Sequence, residues 1–213
     1  MIIPPSKKEV RIPVAGLCGG SGGGKSVLAK RLRERAPYPI CVIGMDRYYR
    51  DLSPLSKEER GRMNFDCPEA VDGELFLKHL SLLSEGYEIF APVYDFAIHA
   101  RRGEERLAPG DLILAEGALL FAFAEIRARL DLAAYCDAPD DIRLLRRIRR
   151  DIAERGRDIE SIARQYLETV RPMYEKYVAP YKLEADVVLD GRKPVKELAE
   201  ELLRRLAPLV ANR

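Results

Sequence analysis

The segment Gly19–Ser26, GGSGGGKS, gathers five glycines, a lysine and a terminal hydroxyl into eight residues and matches G-x-x-x-x-G-K-[ST]. Each residue type there has a mechanical reason. Gly19, Gly20, Gly22, Gly23 and Gly24, with Ser21 among them, let the backbone take positive φ and bring N–H groups against phosphate oxygens without a Cβ in the way. A helical pattern begins at Ser26 and Val27, so the positive end of a helix dipole points at the same place. Lys25 then reaches the β and γ phosphates and Ser26 offers an oxygen to Mg2+. This is a nucleoside triphosphate site, and it leaves the phosphate acceptor open.

Two carboxylates stand where strands of such a site end. Glu116 follows the apolar run Leu112–Ala115, and a carboxylate at the C-terminal edge of a parallel sheet is where ligands sit, although a solvated strand-end Glu is the plainer alternative. Asp46 follows the strand ICVIG and could take the proton of an attacking hydroxyl, help to hold Mg2+, or simply cap a turn. Seven arginines lie between positions 143 and 157, with Arg143, Arg147 and Arg150 spaced for one helix stripe and Arg155 and Arg157 flanking Gly156. Gly156 ends one helix and Asp158 caps the next, which leaves those two arginines at the tip of a helix hairpin. Mobile arginines suit phosphoryl transfer, while a solvated, salt-bridged helix is the other reading of the same charges.

The elements that must position these groups alternate. Short apolar runs at Val14–Cys18, Ile40–Gly44, Leu112–Ala115, Leu132–Cys136 and Val187–Leu189 read as strands buried on both faces. Amphipathic stretches at Ser26–Arg35, Glu74–Ser84, Asp140–Glu154, Ile159–Tyr177 and Val195–Leu206 read as helices. The expected fold is α/β, a five-stranded parallel sheet flanked by helices, in a single domain over residues 1–213. The aromatic stretch at about 87–102 reads as a small inserted β-hairpin, and about 143–170 as a helical Arg-rich lid. Tyr94 and Phe96 share a strand face by their spacing. His79 sits in the apolar helix LFLKHLSLL and reads as a packing residue.

Composition removes other classes. Lys plus Arg number 36 against 34 Asp plus Glu, so nothing global draws the chain to nucleic acid or membrane, and no aromatics interleave the arginine run. Cys18, Cys41, Cys67 and Cys136 form no C-x-x-C pair, which removes zinc and thioredoxin-type chemistry and fits a reducing cytoplasm. The leading MIIPPSKKEVRIP lacks the apolar core of a signal peptide, and no run approaches the roughly 20 residues of a membrane span, so a cytoplasmic protein is expected. Asn64 and Asn212 are the only asparagines and neither sits in N-K-x-D, which argues against a GTPase switch.

GGSGGGKS, MDRYY, NFDCPEAVD, PVYDFAIHARR, LILAEGALL and RRIRRDIAERGRDIESIARQYLETVRP together resemble the uridine kinase family, in family order across nearly the whole chain. The resemblance implies a P-loop NTPase fold like that of adenylate kinase and transfer of the γ-phosphate of ATP or GTP, with Mg2+, to the 5′-hydroxyl of uridine or cytidine. It implies Asp46 as base and magnesium neighbour beside Ser26 and Glu116, and Tyr49, Phe65 and Asp66 around the nucleoside, Asp66 on the ribose hydroxyls. Tyr94, Phe96 and His99 match the base-binding hairpin, Arg150 and Arg155 the phosphate contacts, and Arg147, Arg157 and Gln165 the nucleoside contacts. His99 in place of Tyr implies acceptance of both pyrimidines. Oligomers, tetramers among them, are expected on the same ground. Cys67 and Val27 depart from the family's usual residues at positions that carry no chemistry. A phosphoribulokinase-like or pantothenate-kinase-like enzyme, and a non-catalytic nucleotide sensor, are the competing readings.

Overall fold

The computed structural model of the chain describes residues 11–211, so the leading residues read above for a targeting signal lie largely outside the described residues. Strand β1 (Val14–Cys18) leads through the glycine loop into α1 (Lys25–Arg35), and β2 (Ile40–Gly44) ends in a tight turn at Met45–Tyr48. The short α2 (Lys57–Gly61) starts from Ser56, whose side chain accepts from the Glu59 N–H while the Glu59 carboxylate accepts from the Ser56 N–H. After α3 (Gly73–Ser84) come β3 (Ile89–Asp95) and β4 (Ala100–Leu107), then β5 (Leu112–Glu116), the single turn α4 (Ala124–Arg127) and β6 (Leu132–Asp137). The chain closes with α5 (Asp140–Arg155), α6 (Ile159–Gln165), α7 (Arg171–Tyr177), β7 (Val187–Asp190) and α8 (Val195–Ala211).

Strands β2-β5-β1-β6-β7 form one parallel sheet in that order, so the apolar runs expected as doubly buried strands are that sheet. Period-two alternation divides its side chains. Val14, Cys18, Ile113 and Ala115 face a core completed by Tyr48, Phe76, Leu80 and Tyr135, whereas Ala15, Leu17, Leu112 and Leu114 face Leu28 and Leu32 of α1 and Leu198, Leu202 and Leu206 of α8. Register then sets the site. Gly44 pairs with Glu116 and Leu17 with Glu116, so β1, β2 and β5 end at one level and deliver the glycine loop, Asp46 and Glu116 to the same edge.

The hairpin, the helix expected over 159–177 and α8 differ from their sequence expectations, α8 running past Leu206 to Ala211. The hairpin runs on to Leu107, because RGEERL is too polar to show a strand pattern and is held by pairing with β3 and by an exposed Arg106–Glu88 ion pair at 2.7 Å. Phe96 lies just past the end of β3, in the turn that precedes β4, so it does not share a strand face with Tyr94, although their ring centroids are 5.3 Å apart. The helix expected over 159–177 is broken by a π-helical turn at Tyr166–Val170. Pro172 explains the break: in a regular helix its ring would meet the carbonyl four residues back, and a widened turn relieves that clash. Among the described residues, no helix is long and apolar enough to cross a membrane.

Leu202 is fully buried between α8 and the sheet. Leu202→Ala is expected to lower the unfolding free energy by about 2–5 kcal/mol, read from the shift of a urea midpoint at unchanged slope.

Candidate active site

The glycine loop is shaped by what lies beneath it. Gly22 has φ 78° and Gly24 φ 94°, both in the left-handed region. A Cβ at Gly22 would stand 2.2 Å from the Arg143 carbonyl oxygen, and one at Gly20 2.2 Å from the Arg143 guanidinium. Arg143 therefore does not line the cavity with Arg147 and Arg150. It is 2% exposed, donates from Nε to the Ala138 carbonyl at 3.1 Å, pairs with Asp140, and lies 3.7 Å from the ring centroid of Tyr174. It is a buried strut under the loop. Lys25, also buried, donates from Nζ to the carbonyls of Gly19 at 2.8 Å and Gly20 at 3.2 Å, which fixes its ammonium against the loop.

At the sheet edge the Ser26 hydroxyl donates to Glu116 Oε1 at 3.2 Å. Burial pushes the Glu116 carboxyl up to about 6, with the negative charge of Asp46 adding to the rise and Lys25 and Ser26 opposing it. Two carboxylates and a hydroxyl thus share a crowded, partly dry corner. They fit Mg2+, a hard cation that takes oxygen ligands, keeps several waters and is completed by substrate phosphates rather than by an all-protein cage. Among the described residues, no group of three or more His, Cys, Asp or Glu is clustered for a metal.

From this corner one cavity of about 1320 Å3 runs between the glycine loop and a cluster of rings. Phe65 and His99 stack with centroids 4.4 Å apart and planes 17° from parallel, and Tyr49 meets Phe65 edge-on at 5.5 Å. His99 takes φ 51° at the hairpin turn, and its buried Nδ1 has no hydrogen-bond partner. Burial lowers its imidazole pKa, and Arg155, Arg157 and Arg60 lower it further, so the neutral ring, with one donor and one acceptor nitrogen, is favoured. Burial raises the carboxyl of Asp66, against the pull of Arg147, and Asp66 Oδ2 is 3.5 Å from the Thr169 hydroxyl. Tyr94 is not on the cavity wall: it is 7% exposed and backs Tyr49 and Phe96 at 5.4 and 5.3 Å. His79 lies elsewhere, its Nδ1 2.9 Å from the Tyr48 hydroxyl in the core, a packing residue as expected.

The opposite wall is the α5–α6 hairpin. Gly156 ends α5 at φ 62° and Asp158 caps α6 by accepting from the Ser161 N–H at 2.7 Å. Arg147, Arg150, Arg155, Arg157 and Gln165 all line the cavity. Arg147 donates to Ser21 Oγ and to Gln165 Oε1, each at 2.9 Å, so it ties the glycine loop to α6. Arg155 lies 4.9 Å over the Phe96 ring, and Arg157 donates to the Ser161 hydroxyl at 2.9 Å.

Of the residues singled out in the sequence, Ser21–Val27, Asp46, Tyr49, Phe65, Asp66, Phe96, His99, Glu116, Arg147, Arg150, Arg155, Arg157 and Gln165 line one cavity, whereas Gly19, Gly20, Tyr94 and Arg143 do not. Sequence reasoning missed Thr169, whose hydroxyl spans the Gln165 carbonyl and Asp66, because a lone Thr in a helix carries no signal until the π turn orients it. It also passed over Asp151, although the spacing of four from Arg147 and to Arg155 marks it as a common partner. Arg146 also went unremarked as a cavity residue; it donates to the Gly191 carbonyl at 3.0 Å.

A parallel sheet ending in a phosphate loop, a strand-end acid and an arginine-rich helical hairpin define a P-loop kinase fold. The chain belongs to the phosphoribulokinase / uridine kinase family, whose model matches residues 14–198. A uridine kinase of Chloroflexus aggregans is 44% identical over 186 residues, covering 85% of this chain and 89% of its own length. One of Shewanella amazonensis is 40% identical over 206 residues, covering 93% of this chain and 97% of its own. Phosphoribulokinase from Rhodobacter spheroides shares the fold at a TM-score of 0.61 and 18% identity, over 87% of this chain and 74% of that one. The protein is accordingly a phosphotransferase.

Gly22→Ala combines a left-handed backbone with a clash against Arg143, and is expected to weaken ATP binding by about tenfold or more in calorimetry. The His99 imidazole is expected to titrate below about 6.5 by NMR, and Arg155→Ala to raise that midpoint; a midpoint at the ordinary value would contradict the geometry.

Proposed function

We propose that the enzyme transfers the γ-phosphoryl group of ATP or GTP to the 5′-hydroxyl of uridine or cytidine, giving UMP or CMP in pyrimidine salvage in the cytoplasm. The observation that carries this reading is one cavity with a phosphate loop at one end and, at the other, stacked rings that include a His whose charged form is disfavoured. Its volume of about 1320 Å3 exceeds the 300–1,000 Å3 of an ordinary one-ligand pocket, as a site for two nucleoside-sized molecules requires. The kinship with proteins named uridine kinase supports the same acceptor.

Within this reading the donor phosphates lie along Gly19–Ser26 with Val27 at the helix start, Lys25 on the β and γ groups. Mg2+, held through Ser26, Glu116 and Asp46, supplies charge neutralisation at the phosphates when bound. Asp46 takes the proton of the 5′-hydroxyl as its oxygen bonds to the γ phosphorus and the bond from phosphorus to the leaving diphosphate oxygen breaks. Arg150 and Arg155 offset the charge spread over the transferred group. Asp66 holds the ribose hydroxyls, Tyr49, Phe65 and Phe96 the faces of the base, and His99 its polar edge, with Tyr94 supporting from behind. Arg147, Arg157 and Gln165 close over the nucleoside as a linked set, since both arginines donate to Gln165 Oε1.

A panel of uridine, cytidine, adenosine, thymidine, ribulose 5-phosphate and pantothenate, with ATP or GTP and Mg2+, tests the assignment. Uridine and cytidine are expected to be used with similar kcat/KM; a ratio above about 10³ rejects dual use, and a preference for ribulose 5-phosphate or pantothenate rejects the nucleoside altogether. Asp46→Asn is expected to lower kcat by about 10²–10⁴ while nucleotide binding is retained, and turnover above about a tenth of wild type would remove Asp46 as base.

A further inference from the structure

Asp151 is the most enclosed charge in the lid. It is 0% exposed, and four guanidinium groups from different positions converge on its two oxygens. Arg150 donates to Oδ1 from Nε at 2.9 Å and brings Nη2 within 2.8 Å of it, and Arg155 approaches the same oxygen at 3.5 Å. Arg147 and Arg157 approach Oδ2 at 3.6 Å each. All four arginines line the cavity, whereas Asp151 lies behind them and does not.

The arithmetic of charge gives this arrangement a purpose. One carboxylate against four cations leaves a surplus of positive charge facing the cavity, so Asp151 gathers the arginines without neutralising them. It also leaves one of them, Arg147, unsaturated at Nε. Neither Arg147 Nε nor Asp151 Oδ2 has a hydrogen-bond partner, although they stand 3.6 Å apart, and unmade hydrogen bonds in a dry place are costly. Arginines held this way are aimed in advance, which is what a group that must meet developing phosphate charge requires. Without the carboxylate, four like charges within a few ångströms would spread apart.

We propose that Asp151 is a positioning residue for phosphoryl transfer: a buried counter-charge that assembles Arg147, Arg150, Arg155 and Arg157 into their working geometry and acts on the reaction only through them. This rests on the kinase reading above. It makes the lid arginines one cooperative unit with a common anchor.

Asp151→Asn keeps the shape and removes the charge, and Asp151→Glu keeps the charge at the cost of a methylene. For Asp151→Asn, kcat is expected to fall by about 30-fold or more, with KM for ATP and for the nucleoside within about threefold, and Asp151→Glu is expected to retain more of kcat than Asp151→Asn. Unchanged kcat, a loss wholly in KM, or a Glu variant no better than the Asn variant would overturn the proposal, as would a defect repaired by more Mg2+, which would make Asp151 a metal ligand. Limited trypsin digestion reads the pairing without turnover, because Arg155 and Arg157 precede exposed bonds beside Gly156: cleavage there is expected to quicken about tenfold in Asp151→Asn relative to cuts elsewhere, and equal cleavage rejects the anchor. If Asp151→Asn does not fold, the wild-type protein still decides, since a slowly exchanging Arg150 Nε–H resonance is expected by NMR and its absence overturns the pairing. A wild-type protein inactive on both nucleosides would refute the assigned substrate and leave digestion and NMR to judge Asp151.

Discussion

Everything at the site depends on the contact between the glycine loop and the structure under it. Backbone at Gly20 and Gly22 lies so close to Arg143, and at Gly19 to the Cys136 carbonyl, that no side chain could be inserted between them. That closeness presses the loop onto the start of α5 and the end of β6, and so fixes where the donor phosphates must lie relative to the arginine hairpin that α5 begins. Arg143 is spent on this contact rather than on a ligand. Its stacking on Tyr174, whose hydroxyl accepts from Tyr135 at 3.2 Å, extends the brace from the loop to α7.

Charge is managed in two opposite ways at the ends of the cavity. Near Ser26, carboxylates crowd together and burial pushes the Glu116 carboxyl up, so that corner favours a cation. Along α5, arginines crowd around one carboxylate and keep a positive surplus, so that wall favours an anion. A magnesium nucleotide carries both signs at the matching places. The acceptor end is different again, with rings and a His whose charged form is disfavoured, which suits a flat, uncharged base.

The parallel sheet was legible because its strands are buried on both faces and read as plain apolar runs, and all five needed at most a one-residue change at one end. The glycine loop was legible for a different reason: its chemistry leaves few choices of residue. What escaped the sequence are features made by tertiary contact. The second half of β4 is polar and owes its extension to its partner strand. Phe96 lost its strand position because the irregular register between Pro92 and Tyr94 alters how the hairpin approaches its turn. Arg143 reads like its neighbours on a helix wheel, and only the loop packed over it sets it apart. The nucleoside-facing roles came from resemblance, since aromatics beside a sheet edge have no periodicity of their own.

The π turn at Tyr166–Val170 gives the acceptor side a phase as well as a position. It carries Thr169 onto both the Gln165 carbonyl and Asp66, and it sets the angle at which α7 leaves. Deleting one residue between that turn and Tyr174 would rotate the rest of α7 by about 100° about its axis. Tyr174 would swing off Arg143, and a change of length in the acceptor wall would be felt under the phosphate loop. The two ends of the cavity are therefore geared together through chain length, so that this segment tolerates substitution far more readily than insertion or deletion.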